Sequence, residues 1–171
     1  MVACECEPAE LTRGVDSVSL CLSKGMGAPV GSLLAGSREL VDAARRVRKA
    51  FGGGMRQAGV LAAAGLLALA SAREQAARDH RLAQQLAAAL AALPGLAVPA
   101  PQSNIVMVDS ADLAADDLVA RLAARAVRAL AVAPHRLRFV THRDVGEDDV
   151  AHGVASFARC LDEASGRKPR S

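Results

Sequence analysis

The stretch Asp16–Gly36, "DSVSLCLSKGMGAPVGSLLAG", decides how the chain is read. Val18, Leu20 and Leu22 alternate with Ser17, Ser19, Cys21 and Ser23, the period-two pattern of a strand. The run ends on one cation, Lys24, and glycines follow at 25 and 27. A second short strand is expected over Gly31–Gly36, joined through the Gly25–Gly27–Pro29 turn. A lysine ending an apolar strand is expected to be partly desolvated, which disfavours the ammonium and leaves an amine able to condense with an aldehyde. Glycines beside it let a flat ligand approach the backbone. The alternative is a lysine snorkelling to water.

Downstream, Ser37 is placed to cap a helix running to Ala50, with Leu40, Val41, Ala44 and Val47 on its apolar face. Gly52–Gly54 breaks it. Further helices are expected from Met55 to Ala70 and from Arg73 to Leu93, the latter ended by Pro94-Gly95. A strand at Ser103–Val108, a helix at Asp112–Ala126, strands at Ala129–Ala133 and Arg136–Thr141, and a helix at Glu147–Ala164 complete an α/β pattern. Two strands alone make a poor sheet, so the opening pair is expected to be the end of a larger one.

Two further features carry charge into otherwise apolar or glycine-rich surroundings. "GGGMRQ", Gly52–Gln57, feeds a helix N-terminus, where backbone N–H groups favour an anion and Arg56 adds a charged fork. It could equally be a flexible break with Arg56 solvated. In "HRLRFVTHRDV", His135–Val145, alternation sets Leu137, Phe139 and Thr141 against Arg136, Arg138 and Val140. A mid-strand Arg138 costs energy to bury unless it meets an anion such as a carboxylate. The alternative is an edge-strand arginine facing solvent. His142 reads more simply as structural than as catalytic.

Composition narrows the remaining classes. Hydrophobic residues make up 51% of the 171 and aromatics 2%, so the core must be built from Ala, Leu and Val. A net charge of +3 without Lys/Arg–aromatic runs does not argue for nucleic acid. Cys4, Cys6, Cys21 and Cys160 lack paired zinc spacing, so no metal is expected and the thiols read as reduced and intracellular. The apolar run Ala58–Ala72 falls short of a membrane span and is read as a buried helix of a soluble protein. No signal peptide is evident in "MVACECEPAELTRG".

Together "DSVSLCLSKGMGAPVGSLLAGSRELV", "RKAFGGGMRQAGVLAAAGLLAL", "SNIVMV" and "LRFVTHRDV" resemble the low-specificity L-threonine aldolases, over about Val15 to Leu161. The resemblance implies the C-terminal half of a fold-type-I pyridoxal-phosphate enzyme. Residues 1–72 would be a remnant of the large cofactor-binding domain, with the last strands of its sheet. Residues 73–165 would be a connecting helix and a small C-terminal α/β domain, and 166–171 a disordered tail.

The implied activity is cleavage of L-threonine or L-allo-threonine to glycine and acetaldehyde. The implied roles are a Schiff-base lysine for Lys24, a phosphate contact for Arg56 and a grip on the substrate carboxylate for Arg138. The ring-stacking side chain, the partner of the ring nitrogen and a second carboxylate-binding arginine belong to the half that this sequence lacks. The chain is therefore expected to be incomplete or inactive alone. The resemblance also implies a cytoplasmic homo-oligomer (mitochondrion not excluded), or a partner to full-length subunits. Other pyridoxal-phosphate activities and a non-catalytic interaction module remain as alternatives.

Overall fold

A computed structural model describes residues 1–165; the expected tail at 166–171 lies outside them. The chain divides into two compact units, Met1–Ala76 and Ala77–Ser171.

The first unit opens with a short helix, α1 (Pro8–Leu11), which has no counterpart among the expected elements. β1 (Ser17–Cys21) and β2 (Ser32–Gly36) follow as an antiparallel pair, Ser17 opposite Gly36 and Cys21 opposite Ser32. α2 (Arg38–Ala50) starts as expected: the Ser37 hydroxyl accepts from the Leu40 N–H at 3.2 Å. Arg48 and Lys49 occupy its last turn, where cations suit the helix dipole.

The two helices expected on either side of Ser71 and Ala72 are one, α3 (Gly59–Ala91). No Gly or Pro interrupts that junction, and alanine-rich sequence favours continuation. The Ser71 hydroxyl donates back to the Leu67 carbonyl within the same helix. The helix also begins later than Met55, because residues 51–58 remain loop and turn.

The expectation that Ala58–Ala72 is buried fails. Val60, Leu66 and Leu67 are 69–76% exposed, and only Gly65 and Ala68 of this stretch are buried. The small core of this unit is Leu22, Ala28 and Ala68 with Met26. A Cβ at position 65 would lie 3.1 Å from Leu22 Cδ1, so glycine there lets Leu22 seat on the helix. Among the described residues no helix is long and apolar enough to cross a membrane.

The second unit carries the main core. Its sheet has the order β3 (Leu96–Ala97), β4 (Ile105–Ser110), β6 (Arg136–Val140), β5 (Leu130–Ala133), all antiparallel. α4 (Ala115–Ala123) is shorter than expected. The Ser110 hydroxyl accepts from the Leu113 N–H in a turn before it, and Ala126, at φ +60°, ends any continuation. α5 spans Glu147–Ala164 as expected, with Asp149 accepting from the Gly146 N–H at 2.8 Å.

Val106, Val108, Leu137 and Phe139 form the inner face of the sheet. Leu82, Leu86 and Leu90 of α3, Leu118 and Leu122 of α4, and Phe157 and Cys160 of α5 pack with them in one core. Phe139 and Phe157 meet at 6.1 Å between ring centroids. Thr141 is buried and donates to the Asp79 carbonyl at 2.6 Å, tying the end of β6 to α3.

Because Phe157 is fully buried, Phe157→Ala should destabilise this unit by about 3–5 kcal/mol, enough to unfold it in many small domains. Thr141→Val should cost only about 1 kcal/mol, one hydrogen bond. Urea titration followed by amide exchange in β4 and β6 checks the order of the two effects.

Candidate active site

Lys24 stands on the connection between β1 and β2. Leu22, the last alternating apolar residue, is buried and anchors the start of that connection. Its N–H donates to the Gly31 carbonyl at 2.9 Å and its carbonyl accepts from Ala28 at 3.0 Å. The Gly27 N–H donates to the Lys24 carbonyl at 2.8 Å, closing a turn in which Gly27 takes φ +78°. A Cβ at Gly25 would meet nothing within 4 Å. Lys24 itself is exposed, so the expected partial desolvation is not supplied by this chain.

Cys21, three residues before Lys24, is half-buried on the same side of the strand as Ser19 and Ser23. Its Sγ lies 3.4 Å from the Ser23 Oγ. Ser23's side-chain and backbone hydrogen bonds pull the thiol below its ordinary value; the Lys24 charge and Ser32 add to this, against burial. The sequence reading gave Cys21 no role; the Cys–x–Ser–Lys spacing was its only signal.

Arg56 is exposed on the loop between α2 and α3. Gly53 is required there: a Cβ would fall 2.7 Å from Arg48 Cγ and 3.0 Å from the Arg48 carbonyl, which accepts from the Gly53 N–H at 2.8 Å. Gly54 would place one 2.8 Å from Lys49 Nζ. Gln57, next to Arg56, takes φ +52°, a left-handed conformation that side-chain-bearing residues seldom adopt. The loop thus gathers glycine backbone beside Arg48, Lys49 and Arg56.

Arg138 lies in the second unit, at the centre of β6 on the sheet face opposite the core. Met107 of β4 pairs with it on one side and Leu130 of β5 on the other. Its Nε is buried and has no hydrogen-bond partner. An unpartnered buried guanidinium nitrogen is costly and marks a place where an acceptor would be gained. One row along, Arg136 grips Asp109 with both ends: Nε to Oδ1 at 2.6 Å and Nη2 to Oδ2 at 2.9 Å. That hydrogen bond holds the Asp109 carboxyl below its ordinary value and raises Arg136. The pair is a feature that sequence reasoning missed, since only the β4–β6 register brings it together. His142 is exposed, with Nδ1 accepting from the Asp144 N–H at 3.3 Å, a local turn contact.

Comparison with known proteins follows the same lines. The family profile described as Beta-eliminating lyase matches residues 1–113. Low-specificity L-threonine aldolase 1 of Arabidopsis thaliana is 37% identical over 157 residues, 89% of this chain and 44% of the relative. The low specificity L-threonine aldolase of Escherichia coli K12 is 41% identical over 161 residues, 94% and 47% respectively. The chain therefore spans less than half the length of these curated relatives. A crystal structure assigned as an aromatic amino acid beta-eliminating lyase/threonine aldolase from Exiguobacterium superposes with TM-score 0.76 at 21% identity, over 93% of this chain and 49% of the other. The likeness shows the fold expected of this sequence, that of the fold-type-I enzymes.

The surroundings of Cys21 give a pH-dependent expectation. Because its thiol is pulled down, alkylation by iodoacetamide should reach half its maximal rate at a lower pH than an ordinary exposed cysteine such as Cys4. Ser23→Ala should move that midpoint upward, and Cys21→Ser should remove the fast phase. Peptide-resolved labelling across a pH series reads all three; a Cys21 midpoint above the ordinary value rejects the assignment.

Proposed function

We propose a function from one premise: this chain belongs to the Beta-eliminating lyase family. Its reading here is part of a pyridoxal-phosphate-dependent threonine aldolase, cleaving L-threonine or L-allo-threonine to glycine and acetaldehyde once the rest of the site is supplied. The observation that carries it is the buried, unpartnered Arg138 Nε at mid-strand, which wants a carboxylate. The similarity to aldolases around Lys24 and the glycine loop supports the same reading.

Residues of the first unit suit pyridoxal phosphate at two points, and one residue of the second suits its amino-acid substrate. Lys24 offers a primary amine on a turn whose Gly25 leaves open space for a flat ring. Arg56, on a loop shared with Arg48 and Lys49, suits a phosphate by its charge, while the Gly52, Gly53 and Gly54 N–H groups are already spent on backbone carbonyls. Arg138 suits the α-carboxylate of an amino acid. When bound, the cofactor supplies a conjugated ring that accepts the electron pair released from the Cα–Cβ bond.

The chain's own residues would do the rest. Lys24 would hold the cofactor covalently and move a proton at its Nζ. Arg56 would fix the phosphate end, and Arg138 would orient the substrate so that the breaking bond stands in one place. Residues 1–72 would act as the cofactor-binding part and 73–165 as the connecting helix and small domain. We place the assembly in the cytoplasm, as a homo-oligomer or completed by full-length subunits.

A second reading, a non-catalytic subunit that associates with a full-length aldolase, is favoured by one observation. No residue of α2 is buried, and Leu33, Leu34 and Phe51 stand 43–87% exposed. Such apolar area calls for a covering partner.

Incubating the chain with pyridoxal phosphate and reducing with borohydride should attach the cofactor to Lys24, located by peptide mass spectrometry. Lys24→Ala should lose the label; labelling of Lys49 at the same level would reject a built site. Co-expression with a full-length aldolase separates the two functions. Mixed oligomers with raised glycine release per full-length subunit support completion, and mixed oligomers with reduced release support the non-catalytic subunit.

A further inference from the structure

The outer face of the second unit's sheet holds two guanidinium groups and one carboxylate in adjacent rows. Asp109 stands directly opposite Arg136, and Met107 directly opposite Arg138. Residues two apart on a strand share a face, so Arg136 and Arg138 point the same way. Asp109 is the diagonal neighbour of Arg138 across the β4–β6 pair, a separation of roughly 7–8 Å that a long side chain spans. One carboxylate is therefore within reach of both arginines.

It is given to one of them. Arg136 takes both Asp109 oxygens, at 2.6 and 2.9 Å. Arg138 keeps a buried Nε with no acceptor. Were Asp109 released from Arg136, the Arg138 guanidinium with its unpartnered Nε would be the nearest other cation on its face of β6.

We propose that Arg136 is a positioning residue that holds Asp109 away from Arg138 and so leaves the half-exposed Arg138 side chain to an incoming carboxylate. The inference rests on the reading of Arg138 as the carboxylate grip and names what protects it. The ligand class is a small monocarboxylate, since one guanidinium fork flanked by Met107 and Leu130 offers a single planar anion site. Asp109 also offsets the second positive charge along β6, so that the two arginines do not repel one another unbalanced.

The test uses the whole chain with 15N-labelled arginine and sodium acetate as the probe. The Nε–H signal of Arg138 is identified by its loss in Arg138→Lys. In the wild-type chain that signal should move saturably with acetate. In Arg136→Met it should be displaced before any acetate is added, and the acetate dissociation constant should rise about tenfold, the scale of one charge-assisted hydrogen bond. In Asp109→Asn/Arg136→Met the signal should return and acetate binding should recover. Asp109→Asn alone should keep it.

A double variant as weak as Arg136→Met would make the pair merely structural and overturn the proposal. So would an Arg136→Met chain that binds acetate like wild type. A wild-type signal indifferent to acetate overturns the carboxylate grip and the proposal with it. The acetate-free displacement in Arg136→Met, present or absent, tells that failure apart from a failure of Asp109 to move.

Discussion

The antiparallel register between β4 and β6 is the constraint on which both the core and the candidate site of the second unit depend. Pairing Val106 with Phe139 and Val108 with Leu137 buries four side chains against three helices. The same register sets Met107 opposite Arg138 and Asp109 opposite Arg136 on the other face. A slip of β6 by one residue would exchange its faces, turning Arg136 and Arg138 into the core and Leu137 and Phe139 out of it. The energy that fixes the register comes from the apolar side. The charged side inherits a geometry that its own exposed ion pair is too weak to impose.

The first unit lacks such a second layer. Leu22, Ala28 and Ala68 are its buried apolar residues, and β2 is exposed along its length. Leu22 seats against Gly65 and Ala68, a small contact that nonetheless holds the root of the Lys24 connection. An anchored root with an uncovered tip explains why the lysine is presented but not desolvated. Shielding an amine from water takes apolar walls around it, and a unit whose buried apolar residues are Leu22, Ala28 and Ala68 provides few.

How much of this was legible in the sequence depends on range. The alternation of Leu137, Phe139 and Thr141 against Arg136 and Arg138 settled β6, and Gly146 with the acidic run 147–149 settled the start of α5. These are signals within a few residues. The continuity of α3 was missed because the change from an apolar run to a charged one at Arg73 reads as a boundary, while nothing at that point actually stops a helix. The exposure of Leu66 and Leu67 was missed because apolar composition announces a need for burial, not its presence. The Asp109–Arg136 pair required knowing which strands are neighbours, and 27 residues separate its members.

That pair bears on why a mid-strand arginine is tolerable at all. Desolvating a guanidinium is costly, and the simplest remedy is a fixed carboxylate partner. Such a partner would also occupy the group permanently, leaving nothing for a ligand to gain. Setting the carboxylate one row away, and binding it there with a second arginine, lowers the local positive potential without supplying Arg138's missing acceptor. The Nε therefore remains an unmet demand built into a strand that the core holds rigid. On the proposed reading of Arg138, a rigid, unmet donor would make binding differential: a strand that does not relax to satisfy it would realise the free energy only when an anion arrives.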